Sequence, residues 1–196
     1  MTPTATTDLL ARLRAAVDPL DERVSAAPPL DPTGALPAAV LLLADPGAAG
    51  LPLLFIRRTH TMPSHPGQIA FPGGGAHRGD GGPAGTALRE AHEELGIDPA
   101  TVEVIGRLPA VPTASSGRLL DPVVGLQNGP LQPVPDPFEV AAWFWVPLTD
   151  LLAAPLTTRP IPAPAVRREL HFIEVAGHVI WGATAAILVD LFARLR

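Results

Sequence analysis

One stretch, residues 71–97, constrains the fold of this chain most, because a glycine-rich turn leads directly into a dense cluster of charges. We predict a helix over residues 86–95, which places Glu90 and Glu94 one turn apart with Glu93 beside them. Three carboxylates on one helix face repel each other, so an ordinary surface gains nothing from this arrangement. A divalent cation reverses the sign of that interaction, and oxygen ligands suit Mg²⁺ or Mn²⁺. The pattern therefore predicts a Mg²⁺ or Mn²⁺ site.

The opposite face of the predicted helix carries apolar residues that can pack on a core. They are Ala84, Leu88, Ala91 and Leu95. Gly96 follows directly and is expected to end the helix. The alternative is a solvated acidic helix in which Arg89 serves as an ion-pair partner. The glycine-rich turn in front of the helix argues against that alternative.

The same stretch resembles the Nudix box, the signature of hydrolases that cleave diphosphates linked to another moiety. The matching positions are Arg89, Glu90, Ala91, Glu93, Glu94, Gly96 and Ile97. The first acidic position of the box fits less cleanly. Counting from Gly75 without a gap places Gly81 where a glutamate belongs. Counting from Gly74 with one extra loop residue brings Asp80 close to that place.

Upstream residues support the count from Gly74. Residues 57–74 resemble the additional motif of the coenzyme A pyrophosphatase branch of Nudix hydrolases, which also carries the longer loop. The fitting positions are Arg58, Gly67, Phe71, Pro72, Gly73 and Gly74. Pro63 stands where this branch has a second Arg, and a missing guanidinium would weaken one phosphate contact. This departure puts the substrate in question rather than the hydrolase chemistry.

The resemblance extends over residues 37–196 and implies an α/β protein with the Nudix fold, a mixed β-sheet sandwiched between α-helices. It implies that Glu90 and Glu94 bind the metal, with Glu93 sharing the ions or their waters. A backbone carbonyl of the glycine turn is expected to contribute, at Gly74 or Gly75. Water then attacks one phosphorus without a covalent enzyme intermediate.

Three further residues receive roles in catalysis. Arg89 is expected to anchor the glycine loop by pairing with an acid such as Asp80; a plain surface ion pair is the alternative. Asp80 is itself open to a second interpretation as a turn residue. The general base is either Glu93 or Glu139, because Nudix enzymes often recruit a distant loop glutamate. Glu139 is equally open to being a carboxylate at a strand edge.

Substrate binding is assigned to residues between a buried strand and the glycine turn. Arg57 and Arg58 follow that strand, where at least one guanidinium is expected to face phosphate; a solvated strand end is the alternative. His65 and Gln68 either contact the nucleotide or hold the loop.

The implied activity is hydrolysis of coenzyme A or its derivatives to 3′,5′-ADP and a 4′-phosphopantetheine product. The alternatives are hydrolysis of ADP-ribose or another nucleoside diphosphate derivative, and a Nudix module that binds a nucleotide without turnover. The expected partner is a small-molecule nucleotide, and a homodimer is compatible with the sequence.

Composition limits the other function classes. With 196 residues and 47% hydrophobic content the chain can bury one core, so we expect one domain at 37–196, with an N-terminal helix and proline-rich connector at 1–36 packed on it. A net charge of −5 does not favour nucleic-acid binding. Absence of Lys excludes a Schiff base, and absence of Cys excludes thiolate chemistry and disulfides. No signal peptide or membrane span is recognisable, so we expect a cytoplasmic protein.

Periodicity and turn residues predict the remaining elements. A first helix is expected from Thr7 or Asp8 to about Val17. Strands are predicted over residues 38–44, 51–56, 102–108, 119–126 and 140–146, a hairpin over 171–175 and 178–181, and a last helix over 184–195. The proline-rich segments 129–137 and 153–164 are expected to be irregular.

Overall fold

The computed structural model describes residues 3–20, 34–62, 64–113, 116–161 and 168–196. In these ranges the helices are α1 (Pro3–Ala16), α2 (Pro83–Leu95), α3 (Leu148–Ala153) and α4 (Gly182–Arg194). The strands are β1 (Leu36–Ala44), β2 (Pro52–Arg58), β3 (Ile69–Ala70), β4 (Gly73–Gly75), β5 (Val102–Arg107), β6 (Val111–Pro112), β7 (Arg118–Gln127), β8 (Val140–Pro147), β9 (Leu156–Ile161), β10 (Arg168–Val175) and β11 (His178–Trp181).

A mixed eight-stranded sheet forms the centre of the molecule. Its path runs β3-β2-β1-β7-β5, while β4 pairs with β1, β6 with β7 and β8 with β2. Strand β1 lies parallel to β7 and antiparallel to β4. Seven successive residues of β1 are buried, as expected for a strand covered on both faces.

The two faces of this sheet contribute to two apolar cores. Leu53 and Phe55 of β2 lie in the core that also contains residues of α1, α3 and α4. Leu54 and Ile56 lie in the other core, against Ala87, Ala91 and Leu95 of α2. Because alternate strand residues face opposite layers, the sheet is sandwiched between helices, as the sequence predicts.

A second sheet of three antiparallel strands has the order β11-β10-β9. It corrects one expectation, because residues 156–161 form β9 instead of the irregular structure predicted for 153–164. Pro160 is compatible with a strand here because β9 is the edge strand of its sheet, where a missing N–H is tolerated. Segment 129–136 contains no regular element, as predicted.

The helix starts also differ from the predictions. Helix α1 begins at Pro3, so Thr7 and Asp8 lie inside it and do not cap its start. Helix α2 begins at Pro83 rather than Thr86, since proline is favoured in the first turn. Strands β3, β4 and β6 have only two or three residues, which is too short for a periodic pattern.

Two sequence predictions concern residues outside the described ranges. The first concerns Pro63, where the sequence departs from the upstream motif. The second concerns the proline-rich connector, most of which is outside these ranges. Helix α1 packs on the domain through Leu9 and Leu13, which are buried in the first core. In the described part of the chain, each helix is too short or too polar to cross a lipid bilayer.

Candidate functional site

The centre of the candidate site is the contact between β4 and the acidic face of α2. The backbone N–H of Gly73 donates to Oε2 of Glu94 over 2.9 Å. A Cβ on Gly74 would lie 2.5 Å from the carboxylate oxygens of Glu90. A Cβ on Gly73 would overlap the backbone of Ala39, and its φ of 154° is unfavourable for other residues. The glycine turn is therefore what allows both glutamates to approach the strand.

Glu94 is the most deeply buried acid of the site, with 2% of its surface exposed. Its Oε2 accepts from Gly73, but its Oε1 is buried and has no hydrogen-bond partner. Nη1 of Arg58 lies 3.8 Å from Oε1. Burial raises the pKa of Glu94 to about 8, although the Gly73 hydrogen bond and the Arg58 charge both oppose the shift. A buried oxygen without a partner is suited to receive a cation or a proton.

Glu90 lies beside Glu94 and shares its electrostatic environment. Burial raises the pKa of Glu90. The charge of Arg89, whose Nη2 lies 3.0 Å from Oε1 of Glu90, opposes this rise. The charges of Glu93 and Glu139 raise the Glu90 pKa further, and Glu139 acts in the same direction on Glu94. The site therefore concentrates negative charge that a bound cation would relieve.

Arg89 ties the loop before α2 to the helix. Its Nε and Nη2 donate to the two carboxylate oxygens of Asp80 over 2.9 and 3.2 Å. Nη2 also donates to the carbonyl of Gly75 over 2.8 Å. The hydrogen bond from Arg89 holds the pKa of Asp80 well below its usual range. The predicted pairing of Arg89 with Asp80 is thus confirmed.

Thr86 completes this loop anchor and was not predicted from the sequence. Its hydroxyl donates to Oδ2 of Asp80 over 2.7 Å, and the backbone N–H of His77 donates to the same oxygen over 2.8 Å. Thr86 is buried, as expected for a hydroxyl that has found an acceptor. Thr86 follows Asp80 by six residues, but this spacing alone does not show that the loop between them folds back and brings the two side chains into contact.

Glu93 is separated from the other two glutamates of α2. Its side chain is 55% exposed, and Nη1 of Arg89 donates to it over 2.8 Å. The sequence predicts three carboxylates gathered on one face, whereas the structure brings only Glu90 and Glu94 against β4. Within the described residues, no three His, Asp or Glu side chains are arranged as a ready metal site.

Glu139 is brought to the site by the segment before β8. The N–H of Thr59 donates to the carbonyl of Glu139 over 2.9 Å, and the Thr59 hydroxyl donates to the carbonyl of Phe138 over 2.7 Å. The N–H of Asp136 donates to the carbonyl of Glu94 over 2.9 Å. These backbone contacts hold the segment against the end of α2, where the Glu139 charge influences Glu90 and Glu94.

The four predicted substrate-binding residues divide into three groups. Arg58 faces Glu94, whereas the guanidinium of Arg57 contacts His178 on the opposite side of the sheet. Nδ1 of His65 lies 3.0 Å from Oε1 of Gln68. The backbone N–H of Arg58 donates to the carbonyl of Gln68 over 2.9 Å. The contacts of His65 and Gln68 agree with the loop-holding interpretation.

The raised pKa of Glu94 predicts how the metal-free protein responds to pH. Between the ordinary pKa near 4.5 and the folded value of about 8, the folded protein keeps a proton that the unfolded chain has released. The resulting stability is complete at low pH and is lost as the pH rises through 8. We expect the free energy of unfolding, measured in EDTA, to fall by ~2 kcal/mol between pH 6.5 and 8.5, because a difference of one pKa unit corresponds to about 1.4 kcal/mol.

Thermal unfolding followed by circular dichroism measures this loss. Glu94→Gln has no proton to release at this position, so its melting temperature should depend less on pH over the same interval. An identical pH dependence for the variant and the wild-type protein would contradict the prediction.

Comparison with known proteins identifies the family. The NUDIX domain family model matches residues 35–170. An uncharacterized Nudix hydrolase, NudL, from Photorhabdus laumondii is 39% identical over 140 residues, covering 71% of this chain and 74% of that protein. NudL from Pectobacterium atrosepticum is 39% identical over 143 residues, covering 71% and 72%. The MutT protein from Methanosarcina mazei Go1 shares the fold, with a TM-score of 0.50 and 16% identity over 82% of this chain and 91% of that one. The Nudix fold expected from the sequence is therefore confirmed, and the chain belongs to the Nudix hydrolase family.

Proposed function

We propose that this protein hydrolyses the diphosphate linkage of coenzyme A or its derivatives with the help of Mg²⁺ or Mn²⁺, giving 3′,5′-ADP and a 4′-phosphopantetheine product. The observation that carries the proposal is the buried Oε1 of Glu94, which has no hydrogen-bond partner and lies in a site shared with Glu90. Such an arrangement is costly in a protein that binds no cation, because burial raises the pKa of both carboxylates and the charge of Glu90 raises the pKa of Glu94 further.

The residues of the site fit a divalent cation. Nudix hydrolases generally use Mg²⁺ or Mn²⁺, and both ions prefer oxygen ligands. Glu90, Glu94 and the carbonyl of Gly74 would hold the ion, with Glu93 reaching it through water. When bound, the ion neutralises the diphosphate charge and makes water a stronger nucleophile.

The residues of this chain then position the reactants. Arg89 fixes the glycine turn through Gly75 and Asp80, which keeps the Gly74 carbonyl in place. Arg58 presents a guanidinium next to Glu94, and its buried Nε has no hydrogen-bond partner, so it is suited to a phosphate oxygen. Attack of water on a diphosphate depends mainly on the orientation of the reactants and on the neutralisation of charge.

Two carboxylates remain candidates for accepting the proton of the attacking water. Glu93 is largely exposed, and its carboxylate already accepts a hydrogen bond from Arg89. Glu139 has no ion-pair partner among the described residues, and its charge reaches both Glu90 and Glu94. These features favour Glu139 as the general base.

Replacing the base candidates separates them. We expect Glu139→Gln to lower kcat about 100-fold, because an amide cannot accept the proton and general base catalysis contributes on that order. Glu93→Gln should lower kcat far less and serves as the matched comparison. Steady-state kinetics with saturating Mg²⁺ gives both values, and a larger loss for Glu93→Gln would return the role to Glu93.

The choice of coenzyme A is supported by the similarity of residues 57–74 to the motif of the coenzyme A pyrophosphatase branch. Pro63 is the observation that favours a second candidate, since the branch has Arg there. That candidate is a hydrolase of ADP-ribose or another nucleoside diphosphate derivative.

A substrate panel tests the proposal. The protein is incubated with Mg²⁺ or Mn²⁺ and coenzyme A, ADP-ribose or NADH, and the products are identified by mass spectrometry. We expect the highest kcat/KM for coenzyme A and products corresponding to 3′,5′-ADP and 4′-phosphopantetheine. Preferred cleavage of ADP-ribose would replace the first proposal with the second. Tight binding without products would instead identify a nucleotide-binding module.

A further inference from the structure

The last two residues of β2 point into different layers of the molecule. Arg58 faces Glu94 and the layer of α2. Arg57 faces the layer of the second sheet, where its Nη2 lies 3.3 Å from Nδ1 of His178 in β11. The pairing register of β2 with β8 shifts between these two residues. Arg57 is therefore outside the carboxylate site and is unused by the mechanism proposed above.

Arg57 lies in an open groove with a volume of about 440 Å³. The groove runs between the loop that follows β2 and the turn between β10 and β11. The residues that line it include Arg57, His60, Gln68, His178, Val179 and Trp181. A space of this size holds a phosphate group together with part of the molecule that carries it.

The groove has positive charge without an acidic partner. In the described part of the chain, no Asp or Glu forms an ion pair with Arg57. For Arg57 to donate to Nδ1, the imidazole of His178 must be neutral with its proton on Nε2. Burial lowers the pKa of His178, and the charge of Arg57 lowers it further, which agrees with the neutral form. The charge of Arg57 is therefore not compensated.

The polar groups around Arg57 are held in place before any ligand arrives. The His178 ring stacks on Phe144, with centroids 4.0 Å apart and an angle of 17° between the planes. Oε1 of Gln68 is paired with His65, so the group of Gln68 that remains for a ligand is its donating NH₂. A guanidinium with neighbouring neutral donors matches the oxygens of an anion, and the guanidinium fork suits phosphate.

We propose that this groove binds a phosphate monoester, as an anion site separate from the Glu90 and Glu94 carboxylates. Resting on the function proposed above, the occupant is the 3′-phosphate of coenzyme A, which dephospho-coenzyme A, ADP-ribose and NADH lack. A substrate that passes over the end of β2 presents its diphosphate to the side of Arg58 and its 3′-phosphate to Arg57. Arg57 is then a specificity residue, and free phosphate is the other source of the same chemistry.

Kinetics with two substrates tests the role of Arg57. Coenzyme A and dephospho-coenzyme A are compared for the wild-type protein, Arg57→Gln and Arg57→Lys, with Arg12→Gln on α1 as an exposed control. We expect Arg57→Gln to raise KM for coenzyme A about 10- to 100-fold, as expected for losing a charge-assisted contact. KM for dephospho-coenzyme A and kcat for both substrates should change little, and Arg57→Lys should recover part of the loss.

A binding measurement that needs no catalysis separates this inference from the proposed function. Inorganic phosphate is titrated into the full-length protein in EDTA, and the ring resonances of His178 are followed by NMR. We expect them to shift in the wild-type protein and not in Arg57→Gln. Retention of this shift without any coenzyme A hydrolysis would leave the groove assigned while the proposed function fails.

The remaining outcomes are equally decisive. A phosphate response that depends on Arg57, with unchanged KM for coenzyme A, supports the groove and identifies free phosphate as its occupant. A change in KM restricted to coenzyme A supports it with the substrate as occupant. If Arg57→Gln alters neither the His178 response nor the ratio of the two KM values, the inference is overturned.

Discussion

Glu94→Gln should lower kcat about 1,000-fold or more while the protein remains folded. The amide keeps the size of the side chain and can still accept from the N–H of Gly73, so the contact between α2 and β4 survives. In the proposed mechanism it loses the negative charge that would hold the cation, an interaction that stabilises the transition state by several kcal/mol. A loss of about 4 kcal/mol corresponds to a factor of about 1,000. Turnover of coenzyme A at saturating Mg²⁺ measures the effect.

The matched control is Glu103→Gln, which replaces a glutamate whose ion-pair partner is Arg14 on α1, away from β4. It should leave kcat unchanged within about twofold, since an exposed ion pair contributes little to stability and this one is not part of the proposed site. Circular dichroism and calorimetry verify that both variants are folded. Activity of Glu94→Gln close to that of Glu103→Gln would remove Glu94 from the metal site and with it the central support for the proposed mechanism.

Gly85→Ala is expected to destabilise the protein by about 3 kcal/mol or more, at the upper end of what overpacking costs. Gly85 lies in the first turn of α2, where helix propensity alone predicts that Ala stabilises by about 1 kcal/mol. The structure reverses this sign, because a Cβ on Gly85 would overlap the backbone carbonyl oxygen of Asp80. For a protein of this size, the expected fall in melting temperature is about 6–12 °C.

Gly47→Ala serves as the comparison for this experiment. A Cβ there meets only the flexible carboxylate of Asp45, at 3.3 Å, so the variant should change stability by less than about 1 kcal/mol. Gly85→Ala should also reduce activity in the fraction that remains folded, because the displaced Asp80 is the partner of Arg89. If the melting temperature of Gly85→Ala is at or above that of the wild-type protein, the loop that contains Asp80 moves aside and helix propensity determines the change in stability.

In the β4–α2 region the sequence predicted the features that depend on a local pattern. These features depend on residues within one turn and one helix. They are the charges of Glu90 and Glu94, the pairing of Arg89 with Asp80 and the end of α2 at Leu95. Helical spacing alone, however, places Glu93 with the other acids. It does not show that Arg89 draws Glu93 to the exposed side, since this depends on how the loop with Asp80 folds back.

Long-range pairing explains what the sequence did not reveal. The strand β9 was missed because Pro160 and the prolines on either side of the strand suggest irregular structure, and the place of β9 at a sheet edge is what makes Pro160 acceptable. The groove at Arg57 depends on His178, which is 121 residues away in the chain. The predicted roles of Arg57 and Arg58 were alike because the predicted strand ended at residue 56, whereas β2 includes both residues and directs them to opposite faces.

The opposite directions of Arg57 and Arg58 make this region sensitive to changes in chain length. Because side chains alternate along a strand, inserting or deleting one residue within β2 would exchange the two guanidinium groups between the layers. Leu54 and Ile56 would move with them into the wrong core, so such a change would lose packing as well as chemistry. Insertions and deletions between β1 and β3 should therefore be tolerated in the loops that flank β2 and not in the strand itself.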